Sequence, residues 1–359
     1  MEYLFITNQF KIGGVESVFL NIARTIKREI YLLPLHNNFD EEVYALIPSN
    51  VKILEVPENF KRSIFILPKL YAFAVTISNK FRGIDLCVIN FSDTLTTLLF
   101  SHLVKAKKHL SWIHCNPLVF PKSKFFFFYK CLFKRCDEIV CLCKTQADAF
   151  SRIFKPKNII ICPNFIDTGT INLKKNEPLD YGNKFIVMVA RLDLRSKDFA
   201  TLISAYCQLP DEITDNMDLV FVGGGNDEES VKGYVPEAFK NKIKFVGNQA
   251  NPYKWIFKAE FMVHSSKSEG FSMVVVESLA CGTPVISSDC VAGPRNILDG
   301  EKYGLLFEIG NVEELKQKML LLLYDKKIHE GYRKLSLSRV EELNHEATSK
   351  LNMILEAQG

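Results

Sequence analysis

Two glutamates eight positions apart, Glu269 and Glu277, lie in the stretch SEGFSMVVVESLACGTPVISSD. Carboxylates at that spacing can each accept hydrogen bonds from a different sugar of one ligand. The apolar run AEFMVHSS reads as a buried strand, KSEG as a turn, FSMVVVESLAC as a short helix stopped by Gly282, and TPVISS as the next strand. Glu269 then lies just before the helix and Glu277 two turns inside it. At a rise of ~1.5 Å per residue the two are roughly 12 Å apart, about the distance between the two sugars of a nucleotide diphosphate sugar. The diphosphate would sit between them at the helix N-terminus, where free N–H groups and the positive end of the dipole suit phosphate.

Other residues with suitable chemistry fall at strand ends, where open parallel sheets bind their ligands. Arg191 follows the strand-like run KFIVMVA directly, and Lys197 lies six residues on in ARLDLRSKDF. A guanidinium forks two phosphate oxygens and an ammonium adds a point charge, together offsetting the charge of a diphosphate. Gly13 and Gly14 stand between the first strand and the first helix, where glycine lets backbone approach a phosphate. Glu16 in the same place also suits a helix start with no further role. Gly223, Gly224 and Gly225 form a second strand-end glycine loop, which a tight turn would equally require. His114 closes the run HLSWIH, and Asp93 and Asn116 are polar residues at other strand ends. No D-x-D pattern occurs, so no such carboxylate pair is offered to a metal, and positive charge for a phosphate is offered by Arg191, Lys197 and the helix start around Phe271 and Ser272.

The glutamate pair comes with Gly270-Phe271 inside it, Gly282-Thr283-Pro284-Val285 after it and Gly293-Pro294-Arg295 beyond. This resembles the E-x7-E signature of retaining family-4 glycosyltransferases, the glycosyl transferases group 1, which have the GT-B fold. The resemblance implies transfer of a hexose or N-acetylhexosamine from a nucleotide sugar, by family frequency UDP-linked, with retention of configuration and no cofactor or metal. It implies that Arg191 and Lys197 grip the diphosphate, with Arg195 as an alternative to either. Glu269 is expected nearer the transferred sugar and Glu277 nearer the ribose, neither acting as nucleophile. Gly13, Gly14, Gly224, Gly270, Phe271 and Ser272 are expected around the donor, and His114 beside the transferred sugar as a neutral imidazole. Asp93 and Asn116 are candidates for the acceptor. Asn164, in PNFID, departs from the commoner family wording with Gly after Asn, which bears on the local turn.

These residues need a scaffold of alternating strands and helices. YLFIT, IYLLPL, VKILEV, LCVIN, HLSWIH, EIVCLC and NIIICPN recur in the first half, and KFIVMVA, DLVFVGGG, KIKFVG, AEFMVHSS and TPVISS in the second. Such alternation predicts α/β doubly wound parallel sheets. A chain of 359 residues suits two domains. The expected division is a Rossmann-like acceptor domain over 1–168, a polar linker over about 168–183, a Rossmann-like donor domain over 184–339, and a helix over 340–359 that in the family returns to the first domain. The GT-B resemblance implies that the two domains face each other across a cleft.

Charge is uneven. Residues 1–170 hold 22 Lys+Arg against 14 Asp+Glu, and the remainder 23 against 27. A basic first half suggests an anionic partner. Two of its segments, 61–82 and 120–135, mix bases with bulky apolar groups and are too short or too interrupted to span a bilayer. They suit the interface of the inner membrane, with core helices carrying snorkelling lysines as the alternative. No nucleic-acid motif accompanies the bases. MEYLFITNQF lacks the basic and apolar regions of a secretory signal, and the ten cysteines show no C-x-x-C pair, which favours reduced core thiols in the cytoplasm. The expected enzyme is thus peripheral at the cytoplasmic membrane, acting on a lipid-linked or lipopolysaccharide glycan in cell-surface polysaccharide or capsule assembly. A nucleotide-sugar epimerase of the same architecture and an inactive donor-binding partner are the competing readings.

Overall fold

The computed structural model describes residues 1–10, 13–26, 28–36, 44–57 and 66–356. Residues 61–65 of the first basic apolar segment, and 11–12 before Gly13, lie outside them. The chain divides into one unit of residues 1–165 and 345–359 and another of residues 166–344.

Among the described residues the first unit holds seven parallel strands: β1 (Glu2–Thr7), β2 (Ile30–Pro34), β3 (Val51–Ile53), β4 (Leu86–Asn90), β5 (Lys108–Trp112), β6 (Glu138–Cys141) and β7 (Ile159–Ile161), in the order β3-β2-β1-β4-β5-β6-β7. Their apolar runs are continuous rather than alternating because helices cover both faces; all five residues of β4 are buried. Register is fixed on both sides of β1, where Ile6 pairs with Leu33 and with Asn90. The second unit repeats the arrangement with β8 (Lys184–Val189), β9 (Met217–Val222), β10 (Ile243–Phe245), β11 (Met262–His264), β12 (Val285–Ser288) and β13 (Leu305–Phe307), ordered β10-β9-β8-β11-β12-β13. Strand order reverses between β1 and β4 and again between β8 and β11. Such switch points open a crevice beyond the strand ends.

All seven strands expected in the first half are present. In the second, β13 was not anticipated: LLF is three residues long, too short to show a period. The stretch 168–183, read as linker, instead carries a helix over Thr168–Lys174, capped where Asp167 Oδ1 accepts from the Thr170 N–H at 3.0 Å. Only Ile171 of that helix is buried, so the segment shows no apolar stripe in sequence.

The last helix, Lys326–Glu356, contributes to both units. Within the second, Arg339 donates to the carbonyls of Ile297 and Asn296, each at 2.7 Å. Within the first, Ala347, Leu351, Ile354 and Leu355 are buried, and the Tyr3 hydroxyl donates to the Leu355 carbonyl. All ten cysteines are free thiols, seven of them buried, and Cys131 is the exposed one. Among the described residues no helix is long and apolar enough to cross a membrane. The basic apolar segments do leave bulky groups in solvent: Leu67 and Tyr71 on the Ile66–Lys80 helix, and Phe127, 71% exposed, with Phe128, 58% exposed, on the Phe126–Phe133 helix.

Candidate active site

The second unit gathers its candidate residues at the β8/β11 switch point. The segment leaving β8 is fixed against the loop leaving β11: Lys197 and Ser266 form an antiparallel bridge, and the Lys267 N–H donates to the Ser196 carbonyl at 2.8 Å. That loop is tied to the next strand, since the Ser288 hydroxyl accepts from the Ser266 N–H at 2.9 Å and donates to its carbonyl at 2.8 Å. On this frame three donors converge on one oxygen of Glu269. Its Oε1 accepts from Lys197 Nζ, from Ser266 Oγ at 2.6 Å and from His264 Nε2 at 3.1 Å. Among the described residues Oε2 has no hydrogen-bond partner and remains available to a ligand.

Burial alone would raise the Glu269 pKa, but His264 and Lys197 outweigh it and hold the carboxyl well below the ordinary range. Burial, reinforced by the Lys197 cation, lowers His264, so it donates as a neutral imidazole through Nε2. Its Nδ1 is buried without a partner. Sequence reading missed His264 and Ser266, although a histidine at a strand end is the same signal that singled out His114.

Glu277 lies on the Met273–Cys281 helix, whose Val275, Val276, Leu279 and Ala280 are buried. Gly282, at φ +77°, closes the helix, and the Thr283 N–H returns to the Ser278 carbonyl at 3.0 Å. Burial without an ion partner pushes the Glu277 pKa up to about 7. Tyr253 stands within its electrostatic reach, a neighbour not foreseen from sequence. At the start of the helix Ser272 occupies the left-handed region, φ +69°, with its hydroxyl buried and unpartnered. Gly293 packs beneath this turn: a Cβ there would stand 2.4 Å from the Phe271 carbonyl oxygen. Phe271 is buried and Gly270 half-buried.

Arg191 is exposed just past β8, with no ion pair among the described residues. Arg195 is forked onto Asp193, Nε to Oδ1 at 2.9 Å and Nη2 to Oδ2 at 3.1 Å, so its charge is already engaged. The glycine loop after β9 is required by backbone proximity: a Cβ on Gly223 would meet the Ala190 carbonyl oxygen at 2.1 Å and one on Gly225 that of Leu192 at 2.3 Å. Gly224 faces the Asn248 side chain. Arg295 of the GPR sequence forks onto Asp289 beside an open cavity of about 460 Å³ beyond β12 and β13.

In the first unit, β5 ends at Trp112, so His114 lies in the turn just beyond the strand. Its ring packs edge-on to Phe91 at 4.4 Å between centroids, and its Nε2 is buried without a partner. Burial lowers its pKa to about 3, so the imidazole is neutral. Asp93 is turned onto the protein, accepting the His114 N–H at 3.1 and 3.3 Å. Asn116 caps the Pro117–Lys122 3₁₀ helix through Oδ1 and the Leu118 N–H at 3.0 Å. Gly13 is the extended residue before the Gly14–Thr25 helix, and a Cβ on it would meet Glu16 Oε2 at 2.6 Å, whereas Gly14 has open space. Among the described residues no group of three potential ligands is placed to hold a metal ion.

Residues 170–336 match the family model of the glycosyl transferases group 1. A Campylobacter jejuni protein, N-acetylgalactosamine-N,N'-diacetylbacillosaminyl-diphospho-undecaprenol 4-alpha-N-acetylgalactosaminyltransferase, is 27% identical over 343 residues, 92% of each chain. The lipopolysaccharide core biosynthesis glycosyltransferase LpsE of Rhizobium meliloti is 26% identical over 216 residues, covering 60% of this chain and 59% of that one. Among solved structures, Anabaena HepE in complex with UDP and glucose superposes with a TM-score of 0.81 over 99% of both chains at 18% identity. The fold is therefore GT-B, built of two Rossmann-like domains.

Proposed function

We propose, from a second unit matching the glycosyl transferases group 1, that this chain is a retaining, metal-independent glycosyltransferase. It moves a hexose or N-acetylhexosamine from a UDP-sugar to a lipid-linked or lipopolysaccharide glycan at the cytoplasmic face of the membrane. The observation that carries this reading is the Glu269 carboxylate, held ionised with one oxygen saturated by Lys197, Ser266 and His264 and the other unoccupied. A carboxylate so fixed has lost its rotational freedom before the ligand arrives, and its free oxygen accepts from a sugar hydroxyl at little reorganisation cost. Lys197, although ion-paired to Glu269, places a positive charge where a departing diphosphate needs it, and Arg191, exposed six residues before it and without an ion pair among the described residues, supplies the fork. Glu277 serves the ribose. The acceptor hydroxyl attacks on the leaving-group face, and no protein nucleophile intervenes. The relatives' lipid-linked and lipopolysaccharide substrates favour this acceptor class, and the exposed Phe127 and Phe128 among lysines favour a membrane-surface location.

The test is to incubate the full chain with UDP-glucose, UDP-galactose, UDP-N-acetylglucosamine and UDP-N-acetylgalactosamine, with and without a membrane lipid extract. UDP release that needs the extract, persists in EDTA and gives a product with the donor's anomeric configuration is expected. Epimer formation without extract would reject transfer, and release from none of the four donors would sink the proposal.

A further inference from the structure

His264 is an expensive residue where it stands. It ends β11, a strand whose three residues are all buried, and an apolar side chain would fill that place with no polar group to desolvate. Its Nδ1 is buried without a partner, and an orphan of that kind costs stability. What the ring gains is one bond, from Nε2 to the Glu269 carboxylate at 3.1 Å. The same N–H lies 3.3 Å from the Ser266 hydroxyl oxygen, which leaves that hydroxyl's own hydrogen to point at Glu269.

The three donors on Glu269 Oε1 differ in how firmly they are held. His264 and Ser266 stand on backbone fixed to the neighbouring strand: His264 pairs with Ser287 of β12, and the Ser266 N–H donates to the Ser288 hydroxyl at 2.9 Å. Lys197 reaches the carboxylate through a flexible four-carbon stem, and its ammonium has three hydrogens, of which Glu269 takes one among the described residues. A diphosphate attracts that ammonium and repels the carboxylate beside it. Held by Lys197 alone, Glu269 would be displaced as the phosphates arrive. We propose that His264 is a positioning residue of the transfer reaction: together with Ser266 it keeps the free oxygen of Glu269 on the transferred sugar while Lys197 turns to the diphosphate. This rests on the function proposed above. A second cation in that place would compete with Lys197 for the phosphates. The imidazole does not, since burial and the Lys197 cation lower its pKa and it donates without charge.

The experiment compares the full-length wild type with His264→Leu, His264→Gln, Glu269→Ala and the double variant His264→Leu/Glu269→Ala, using whichever of the four UDP-sugars the wild type transfers in the presence of membrane lipid extract. His264→Leu is expected to lower turnover roughly 10- to 100-fold, as loss of a hydrogen bond to a charged group implies, while UDP, which carries no sugar, binds within about twofold of wild type. His264→Gln, whose amide can donate, should recover part of the turnover. In the Glu269→Ala background His264→Leu should cost no more than about twofold further, because the two residues act as one unit. Turnover of His264→Leu within about twofold of wild type, an undiminished further loss in the double variant, or UDP affinity that falls as far as turnover overturns the proposal. NMR of isotope-labelled imidazole nitrogens in the wild type, assigned by the signals missing from His264→Gln, supplies a reading independent of catalysis. Before and after saturation with UDP, Nε2 of His264 is expected to carry the proton and Nδ1 to stay bare. A ring protonated at Nδ1, or an Nε2–H signal lost when UDP binds, overturns the assignment even if His264→Leu does not fold. If the wild type transfers none of the sugars the proposed function fails, while the unliganded spectrum still decides whether His264 holds Glu269.

Discussion

Glu269 and Glu277 carry the same functional group in opposite surroundings. Lys197 and His264 keep Glu269 ionised, and solitary burial brings Glu277 to about 7. Environments that push two like groups apart assign them different work. Glu277→Gln is expected to raise donor KM roughly tenfold, as loss of a charged hydrogen bond implies, with turnover of the bound complex little changed; unchanged donor affinity rejects its placement at the ribose. The same residue gives a stability prediction with a definite sign. The free carboxyl titrates near 4.5 and the folded one near 7, so between these values the unfolded chain releases a proton that the folded protein keeps. Its contribution is whole below the unfolded value and is lost as pH rises through 7. Unliganded Glu277→Gln should therefore melt above the wild type at about pH 8 and level with it at about pH 4; a difference independent of pH counts against the raised acid. The placement of the glutamate pair and Lys197 was legible because their spacing from strand and helix ends is visible in sequence. His264 and Ser266 were not, because in AEFMVHSS they look like the closing residues of a core strand, and their role exists only once the strand is folded beside Lys197.

At the scale of elements, the strands were legible because buried parallel strands leave unbroken apolar runs. What escaped were pieces whose sequence carries no period: the three residues of β13, and the Thr168–Lys174 helix with one buried side chain. The backbone at the Met273–Cys281 helix start was invisible for another reason, since nothing in GFSM announces a left-handed serine. That conformation costs a residue with a Cβ about 1 kcal/mol or more and is relieved by glycine. Ser272→Gly is expected to raise the melting temperature by several degrees, and a fall would mean that the hydroxyl contributes more than the strain costs. Gly293→Ala should do the reverse. With φ at +94° and its new methyl 2.4 Å from the Phe271 oxygen, it must displace the 270–272 turn. Donor affinity should fall together with stability.

For the molecule as a whole, the six strands of the second unit follow the order of the first six of the first unit, and the Lys326–Glu356 helix belongs to both. The two-domain reading followed from length and alternation. A chain ended after Asn344 loses four buried apolar residues of the first unit, Ala347, Leu351, Ile354 and Leu355, and the hydrogen-bond partner of Tyr3. At about 1.5–3 kcal/mol for each large side chain, that unit should lose most of its stability, seen as early melting or rapid proteolysis within residues 1–165. Survival of a cooperative transition at the original temperature would show that the helix end is dispensable. The exposed Phe127 and Phe128 make a separate claim: replacing both with serine should reduce sedimentation with anionic vesicles without altering UDP release from the donor when the acceptor is soluble. The thiol inventory bears on how that claim can be followed. Nine cysteines are buried or half-buried and Cys131 alone is open, one helical turn from Phe127 on the same face. Wild-type protein therefore carries a ready attachment point for a solvent-sensitive fluorophore, and its colour would register lipid contact with no engineered residue at all.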